Sequence, residues 1–260
     1  YFGLNKLAKL QAGERILIHA AAGGVGQAAV QIAQAAGAEV YSTTSRSKWD
    51  FLRAQNITHI YNSRTLEFAE SIMEDTNGQG VDVVLNSLND DFIEHSINVL
   101  GKNGRFVELG KLDNWTSEQV EAYRPDVAYY PFDLIDDSSA DDIAQMLLEL
   151  KTGFEKGKLK SLPYHTFPIK QVDDAIRYMQ QGKHQGKIVL SFAPTPKIEI
   201  QTDGGYLITG GLGGLGLQVA QSLADAGARH LILNSRRSTV SQEAQSIIDR
   251  LRQKNVRVDL

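Results

Sequence analysis

Two glycine-rich segments constrain this chain most, because each follows a run of β-forming residues and precedes a stretch with helical spacing. The first is Ala21-Ala22-Gly23-Gly24-Val25-Gly26, and the second is Thr209-Gly210-Gly211-Leu212-Gly213-Gly214-Leu215-Gly216. A strand, a glycine loop and a helix in this order are typical of dinucleotide sites, since a Cβ would hold the backbone away from the pyrophosphate at the helix amino terminus. The simpler alternative is a tight turn without a ligand.

Short apolar runs alternate with helical stretches through the first half of the chain. The predicted strands are 15–20, 39–43, 59–62, 81–86, 105–109 and 127–132. The predicted helices between them are 25–36, 48–55, 66–76 and 92–100. Parallel strands need crossovers, and helices supply them, so the pattern predicts an α/β fold with a Rossmann-type doubly wound parallel sheet.

The alternation stops after residue 136. Ser139 and Asp142 approximate a capping box, which predicts the start of a helix. The expected elements from here are a helix at 143–154, a strand at 162–169, a helix at 172–180 and a strand at 187–192. The segment Ala193-Pro194-Thr195-Pro196 predicts a linker, after which a strand at 206–209 begins a second copy of the first arrangement.

One constant shift along the sequence aligns the two copies. It pairs Gly23, Gly24, Gly26 and Ser45-Arg46 with Gly213, Gly214, Gly216 and Ser235-Arg236. A shared glycine loop and a shared Ser-Arg pair after the next strand indicate two nucleotide-binding folds. The second is expected to be truncated.

The residues that follow the second strand of each copy indicate which dinucleotide is bound. A carboxylate there would accept the ribose hydroxyl bonds of NAD, whereas hydroxyl and cationic side chains accommodate a 2′-phosphate. The first copy has Thr44, Ser45, Arg46 and Lys48 at this place, and the second has Asn234-Ser235-Arg236-Arg237. Neither stretch contains a carboxylate, so both favour NADPH. The alternative is that the arginines are solvated surface residues.

Composition excludes several other kinds of protein. The absence of cysteine excludes a disulfide scaffold and a Cys-ligated zinc site within these residues, and the histidines lack metal-ligand spacing, so no metal is expected. The formal net charge is −4 without a basic block, which argues against nucleic acid as a partner. Glycines and glutamines interrupt the weakly polar run 18–38, which argues against a membrane span. We expect a cytoplasmic protein and, because the first residue is Tyr1, a fragment.

Further motifs occur in order along the chain. They are the segment 13–26, Lys48-Trp49, Asn62-Ser63-Arg64-Thr65, the segment 81–88, the segment 104–111 and His184-Gln185-Gly186-Lys187. Together they closely resemble the enoylreductase domain of modular polyketide synthases and animal fatty acid synthase, over residues 1 to about 193. Residues 203–260 are similar to the start of the ketoreductase domain that follows enoylreductase in such synthases.

The resemblance implies a domain division, because enoylreductases belong to the zinc-free medium-chain dehydrogenases and reductases. In that group the nucleotide-binding domain is inserted in a substrate domain. The expected divisions are an NADPH-binding domain at 1–153, the C-terminal return of the substrate domain at 154–193, a linker at 194–202 and a truncated ketoreductase start at 203–260. Most of the substrate domain is expected upstream of Tyr1.

The resemblance also implies a reaction, namely NADPH-dependent reduction of an α,β-enoyl thioester on an acyl carrier protein, with hydride added to Cβ and a proton to Cα. Lys111 matches the family's candidate proton donor or enolate-stabilising cation, and Asp133 matches the group that orients it. Each follows a predicted strand, at the edge where open α/β sheets bind ligands. The alternatives are a solvated loop lysine and a helix-flanking carboxylate.

The candidate cofactor residues combine the motifs with matched family positions. Lys48 and Arg64 match positions near the 2′-phosphate, and Asn86-Ser87 either contact the nicotinamide ribose or cap the next helix. The first copy contributes Ala22, Gly23, Gly24, Val25, Gly26, Thr44, Ser45, Arg46, Lys48, Arg64, Asn86, Ser87, Leu109 and Gly110. The second contributes Thr209, Gly210, Gly211, Gly213, Gly214, Leu215, Gly216, Ser235 and Arg236.

No Tyr-x-x-x-Lys motif occurs, so the second copy is expected to bind cofactor without chemistry. The expected partners are an acyl carrier protein, other domains of the same synthase and, as a homodimer, a second copy of the chain. Two alternatives stay open at this point. One is a free-standing zinc-free quinone or alkenal reductase, and the other is a non-catalytic NADPH-binding module.

Overall fold

The computed structural model describes residues 1–111, 113–192, 200–236 and 239–260. Its contacts divide the chain into two compact units, Tyr1–Phe192 and Ala193–Leu260, and each is described by itself. Most of the expected linker lies outside the described residues, and so does Arg237.

A parallel sheet of six strands forms the frame of the first unit. The strands are β1 (Arg15–Ile18), β2 (Glu39–Thr44), β3 (His59–Asn62), β4 (Val81–Asn86), β5 (Leu100–Glu108) and β6 (Ala128–Pro131). Their order is β3-β2-β1-β4-β5-β6, and every neighbouring pair is parallel. This is the strand order of the doubly wound dinucleotide-binding fold, so the predicted fold class is confirmed.

Two cores lie on opposite faces of this sheet, because successive side chains of a strand point to opposite sides. Ile16 and Ile18 pack on one face with Val107, whereas Leu17 packs on the other face with Phe106. The first face is covered by helices α1 (Gly24–Ala36) and α2 (Trp49–Arg53). The second is covered by α3 (Phe68–Asp75), α4 (Asp91–Asn98) and α5 (Ser117–Tyr123).

Several predicted boundaries were wrong. Leu100 was predicted to end a helix, but it begins β5, and the register between β4 and β5 shifts between Val81 and Val83. Such an irregularity leaves no periodic trace in the sequence. Helix α5 was not predicted, although Thr116 and Gln119 form a capping box at its start. A short π-helix over Phe2–Leu7 was also not predicted.

After β6 the chain forms α6 (Ala140–Glu155), whose start has the expected capping box between Ser139 and Asp142. Strands β7 (Tyr164–Pro168) and β8 (Lys187–Ser191) then pair in parallel around α7 (Val172–Gln180). Helix α6 continues across residues 153 and 154, and the domain division expected there stays a prediction.

The second unit repeats the beginning of the first. Its elements are β9 (Gly205–Thr209), α8 (Gly214–Asp225), β10 (His230–Asn234), α9 (Gln242–Gln253) and β11 (Arg257–Asp259). The strands form a parallel sheet in the order β11-β10-β9. Leu231 and Leu233 of β10 are buried against Ala220 of α8 and Ile248 of α9.

His19, directly after β1, ties the glycine loop to the rest of the sheet. Its Nδ1 lies 2.9 Å from the Thr43 hydroxyl and its Nε2 lies 2.8 Å from the Ser96 hydroxyl. Because Ser96 donates its own proton to the Phe92 carbonyl, its oxygen accepts from Nε2–H, and Nδ1 accepts from Thr43. Burial lowers the pKa of His19 to about 3, so the ring is neutral in the folded protein.

This buried histidine predicts a loss of stability in acid. Below about pH 6.5, His19 is protonated in the unfolded chain but stays neutral in the folded protein. The free energy of unfolding therefore falls as the pH decreases towards 3. Between about pH 7.5 and pH 5, His19 lowers the free energy of unfolding by about 2 kcal/mol. His19→Asn cannot titrate, so its stability should fall by that much less over the same range. Urea unfolding followed by tryptophan fluorescence measures this, since Trp49 and Trp115 both lie in the first unit. Equal losses in both proteins would contradict it.

Candidate functional site

The first glycine loop joins β1 to α1 at the carboxyl edge of the sheet. A Cβ on Gly26 would overlap the carbonyl oxygen of Ala20 and would lie 2.6 Å from the Cα of Ala21. Only glycine therefore lets the helix pack this closely on the loop. Gly23 is the N-cap of α1, no side chain caps the helix, and its first turn has no acidic residue. The amides of this turn are thus available to an anion, which is what a pyrophosphate needs.

A group of cations lies beyond the ends of β2 and β3. The ammonium of Lys48 donates a hydrogen bond of 2.6 Å to the carbonyl of His184. Burial and the charge of Arg64 lower the pKa of Lys48, and burial and the charge of Lys48 lower the pKa of His184. Within the described residues, neither Lys48 nor Arg64 forms an ion pair with a carboxylate. Like charges held together without a counter-charge fit a phosphate.

The other candidate residues after β2 make different contacts near this group of cations. Ser45 and Ser47 are joined through their hydroxyls at 3.2 Å, and the guanidinium of Arg46 lies 6.0 Å from the ring centroid of Trp49. Thr44 is buried, and its carbonyl accepts bonds from the Ser63 amide and the Trp49 indole. The structure thus brings Ser45, Arg46 and Lys48 to one loop, with Thr44 beneath it.

Lys111 and Asp133 meet at the ends of the neighbouring strands β5 and β6. The Lys111 Nζ lies 3.1 Å from Asp133 Oδ2 and donates a hydrogen bond of 2.8 Å to the Phe132 carbonyl. A backbone hydrogen bond from Ile135, followed by the bond from Lys111, lowers the pKa of Asp133, so this carboxylate is ionised at neutral pH. Both side chains are partly exposed and can reach a bound molecule. The structure therefore places these two side chains in contact, and their expected catalytic roles stay a prediction.

Glu108 is a buried carboxylate that sequence reasoning missed. It accepts hydrogen bonds of 2.8 Å from the Asn86 amide and 2.6 Å from the Gly110 backbone. Burial raises its pKa, and these hydrogen bonds oppose that rise. Asn86 is itself fully buried and also donates to the Leu88 carbonyl, so its side chain fixes two loops, while Ser87 beside it is exposed. A glutamate that ends an apolar strand was the available signal.

An apolar cavity of about 180 Å³ lies beside these groups. Val25 of α1, Leu85 of β4 and Phe132 after β6 line it, together with Leu109 and residues of the first turn of the chain. Val25 is 58% exposed although it lies next to the glycine loop. Phe132, whose carbonyl accepts the hydrogen bond from Lys111, lines this cavity, so its apolar surface adjoins the Lys111–Asp133 pair.

The second glycine loop repeats the geometry of the first. Gly210 has φ +68, Gly213 is the N-cap of α8, and a Cβ on Gly216 would overlap the Gly210 carbonyl oxygen. Thr209 ends β9, and Gly211 donates a hydrogen bond of 2.9 Å to the Asn234 carbonyl at the end of β10. The remaining candidates in this loop are Gly214 and the exposed Leu215, and Ser235 and Arg236 follow β10.

The described parts of the chain offer neither a metal site nor a membrane-spanning helix. No group of three or more His, Asp or Glu side chains there could hold a metal ion. In the same ranges, no helix has both the length and the apolar character that crossing a membrane requires.

The glycine loops, the parallel sheet and the groups at its carboxyl edge define a nucleotide-dependent dehydrogenase or reductase. Family models for a "Zinc-binding dehydrogenase" and for a "KR domain" match residues 55–190 and 204–260. The pikromycin polyketide synthase component PikAII of Streptomyces venezuelae is 43% identical over 96% of this chain, which spans 7% of that much longer protein.

Solved structures agree. The CurK enoyl reductase is 58% identical with a TM-score of 0.71, covering 73% of this chain and 58% of its own. The nucleotide-binding subdomain of the enoylreductase domain of PpsC from Mycobacterium tuberculosis is 36% identical with a TM-score of 0.56, covering 62% of this chain and 93% of its own. The chain belongs to the zinc-binding dehydrogenase family, as an enoyl reductase domain of a polyketide synthase. A ketoreductase segment follows it, and the resemblance stated from the sequence is confirmed.

The close packing at Gly26 predicts a stability loss on adding one methyl group. In Gly26→Ala the Cβ meets backbone atoms that cannot move aside, so we expect a loss of about 1–3 kcal/mol in urea unfolding of the first unit. Gly214→Ala is the control, because its Cβ would meet nothing within 4 Å. A Gly26→Ala protein as stable as the unaltered chain would contradict this packing.

Proposed function

We propose that the first unit binds NADPH along the carboxyl edge of its sheet and reduces an α,β-enoyl thioester carried on an acyl carrier protein. The observation that carries this proposal is the Lys111–Asp133 ion pair, 3.1 Å long, on the sheet edge that also bears the glycine loop. Membership of the polyketide synthase enoyl reductases supports it.

NADPH fits the residues present. The uncapped first turn of α1 would bind the pyrophosphate, and the absence of a Cβ on Gly26 lets this helix pack closely on the loop that precedes it. Lys48 and Arg64, together with Ser45, would bind the 2′-phosphate by charge-assisted hydrogen bonds. When bound, the cofactor supplies the hydride that adds to Cβ of the substrate.

The protein's own groups handle the charge and the proton. As Cβ gains a hydride, negative charge develops at the thioester oxygen and at Cα. The Lys111 ammonium stabilises that charge or donates a proton to Cα, and its Nζ is held by Asp133 and the Phe132 carbonyl. The buried Glu108 fixes the Gly110 amide, and so the start of the loop that carries Lys111. The apolar cavity beside the pair suits the acyl chain.

The remaining assignments follow from this role. The chain is an oxidoreductase domain of a multifunctional synthase, and other domains of that synthase are its partners. We infer a cytoplasmic location and a homodimer from the same family setting. The second glycine loop is proposed as an NADPH-binding cradle without chemistry, with Thr209, Gly210, Gly211, Gly213, Gly214, Leu215, Gly216, Ser235 and Arg236 as its candidate residues.

The proposal predicts which residues select NADPH over NADH. In Lys48→Met and Arg64→Met a charge-assisted hydrogen bond to the 2′-phosphate is lost, so NADPH affinity should fall about tenfold or more, with NADH affinity unchanged. Arg53→Met is the control, because it removes the same charge at a residue that pairs with Asp50 and stacks on Trp49 and is not one of the proposed phosphate ligands. Titration of each variant with both cofactors measures the ratio. Equal losses for NADPH and NADH would contradict the assignment.

The proposal also predicts the effect of removing the ion pair. In the full-length protein, Lys111→Met should lower kcat for NADPH oxidation with a crotonyl thioester by about 10²–10⁴-fold, with NADPH affinity unchanged. Asp133→Asn should cause a smaller loss, because the Phe132 carbonyl still holds Nζ. Lys102→Met, an exposed lysine near the other end of β5, is the control. If both site variants retain the full rate, the proposed roles of Lys111 and Asp133 are wrong.

A further inference from the structure

The segment 184–187 comes back from α7 to lie on the first glycine loop. The Gly186 amide donates a hydrogen bond of 2.9 Å to the Ala22 carbonyl, and the Lys187 amide donates one of 2.8 Å to the Pro163 carbonyl. Gly186 has φ +66, and a Cβ there would overlap the Pro163 carbonyl group. Bonds on both sides and a conformation that favours glycine fix the backbone that carries the Lys187 side chain.

The Lys187 side chain lies across Gly24, the first residue of α1. A Cβ placed on Gly24 would lie 2.6 Å from Lys187 Cδ, 2.9 Å from Cε and 3.1 Å from Nζ. The absence of a side chain on Gly24 is thus what makes room for the lysine. Within the described residues the Lys187 ammonium has neither a hydrogen-bond acceptor nor an ion-pair partner.

The Lys187 ammonium and the partial positive charge of the amino end of α1 therefore lie close together. The amino end of a helix carries partial positive charge and disfavours a nearby cation. No acidic residue occurs in the first turn of α1, and no side chain caps it. An ammonium beside uncapped amides gains stability when an anion contacts both, because each then forms a charge-assisted hydrogen bond.

We propose that Lys187 binds the pyrophosphate of the dinucleotide, together with the first-turn amides of α1. This rests on the proposed function, that the first unit binds NADPH. Lys187 and Lys48 thus bind different phosphates, since Lys48 belongs to the cation group proposed for the 2′-phosphate. The pyrophosphate is common to NADPH and NADH, so Lys187 contributes to the binding of both cofactors without selecting between them.

The segment 184–187 thereby takes part in cofactor binding. At one end of the segment, the His184 carbonyl accepts a hydrogen bond from Lys48. At its other end, the Lys187 side chain covers Gly24. One short segment thus touches both places where the cofactor carries phosphate. A dinucleotide that bridges them would hold this segment against the glycine loop.

The test is cofactor binding by the whole chain with Lys187→Met and Lys187→Arg, and with Lys170→Met as the matched control. Lys170 is exposed and lies between β7 and α7, before the segment 184–187. Its replacement by Met changes the net charge by the same amount as Lys187→Met. Energy transfer from Trp49 and Trp115 to the reduced nicotinamide reports cofactor binding, and each replacement changes the first unit alone. Adenosine 2′-phosphate, which lacks the pyrophosphate, is measured by displacement of NADPH.

We expect Lys187→Met to weaken NADPH and NADH alike by about tenfold or more, with the affinity for adenosine 2′-phosphate unchanged. Lys187→Arg, which keeps the charge, should restore most of the binding, and Lys170→Met should bind as the unaltered chain does. Unchanged cofactor binding by Lys187→Met, or an equal loss for adenosine 2′-phosphate, would overturn this inference and leave the proposed function standing. Failure of the unaltered chain to bind either dinucleotide would overturn the proposed function as well.

Discussion

The contact between α1 and the loop after β1 is the constraint on which the rest of the site depends. Gly26 permits it, because any Cβ there would overlap the backbone of Ala20 and Ala21. The contact places the uncapped amino end of α1 at the carboxyl edge of the sheet. That end is the natural position for a phosphate, and the other groups of the site are arranged around it.

Sheet order then gathers groups that are distant in sequence. Because β1 lies between β2 and β4, the cations that follow β2 and β3 lie on one side of the glycine loop. Lys111 and Asp133, which follow β5 and β6, lie on the other side. A dinucleotide bound in an extended form across such an edge has its 2′-phosphate at one end and its nicotinamide at the other. The proposed division between binding and chemistry follows from this order.

Much of this could be predicted from the sequence, and the exceptions have physical reasons. Glycine spacing and apolar periodicity are local signals, so the strand–loop–helix units and the positions of Lys111 and Asp133 after strands were within reach. The choice of these two residues as a pair came from the family resemblance. Leu100 was misassigned because a register shift in β5 has no periodic pattern. The roles of Glu108 and Lys187 depend on contacts with residues distant in sequence, which no local pattern encodes. From the sequence alone, each could be predicted only to be a charged residue at one end of a strand.

In the proposed reaction, hydride is delivered to an enoyl thioester at this edge of the sheet. The most direct measurement is a single turnover of the full-length protein with NADPH deuterated at C4 of the nicotinamide and a crotonyl thioester, with the product analysed by mass spectrometry. We expect one deuterium at Cβ of the saturated thioester and a solvent-derived proton at Cα. Saturated product without the label at Cβ, or no saturated product, would contradict it.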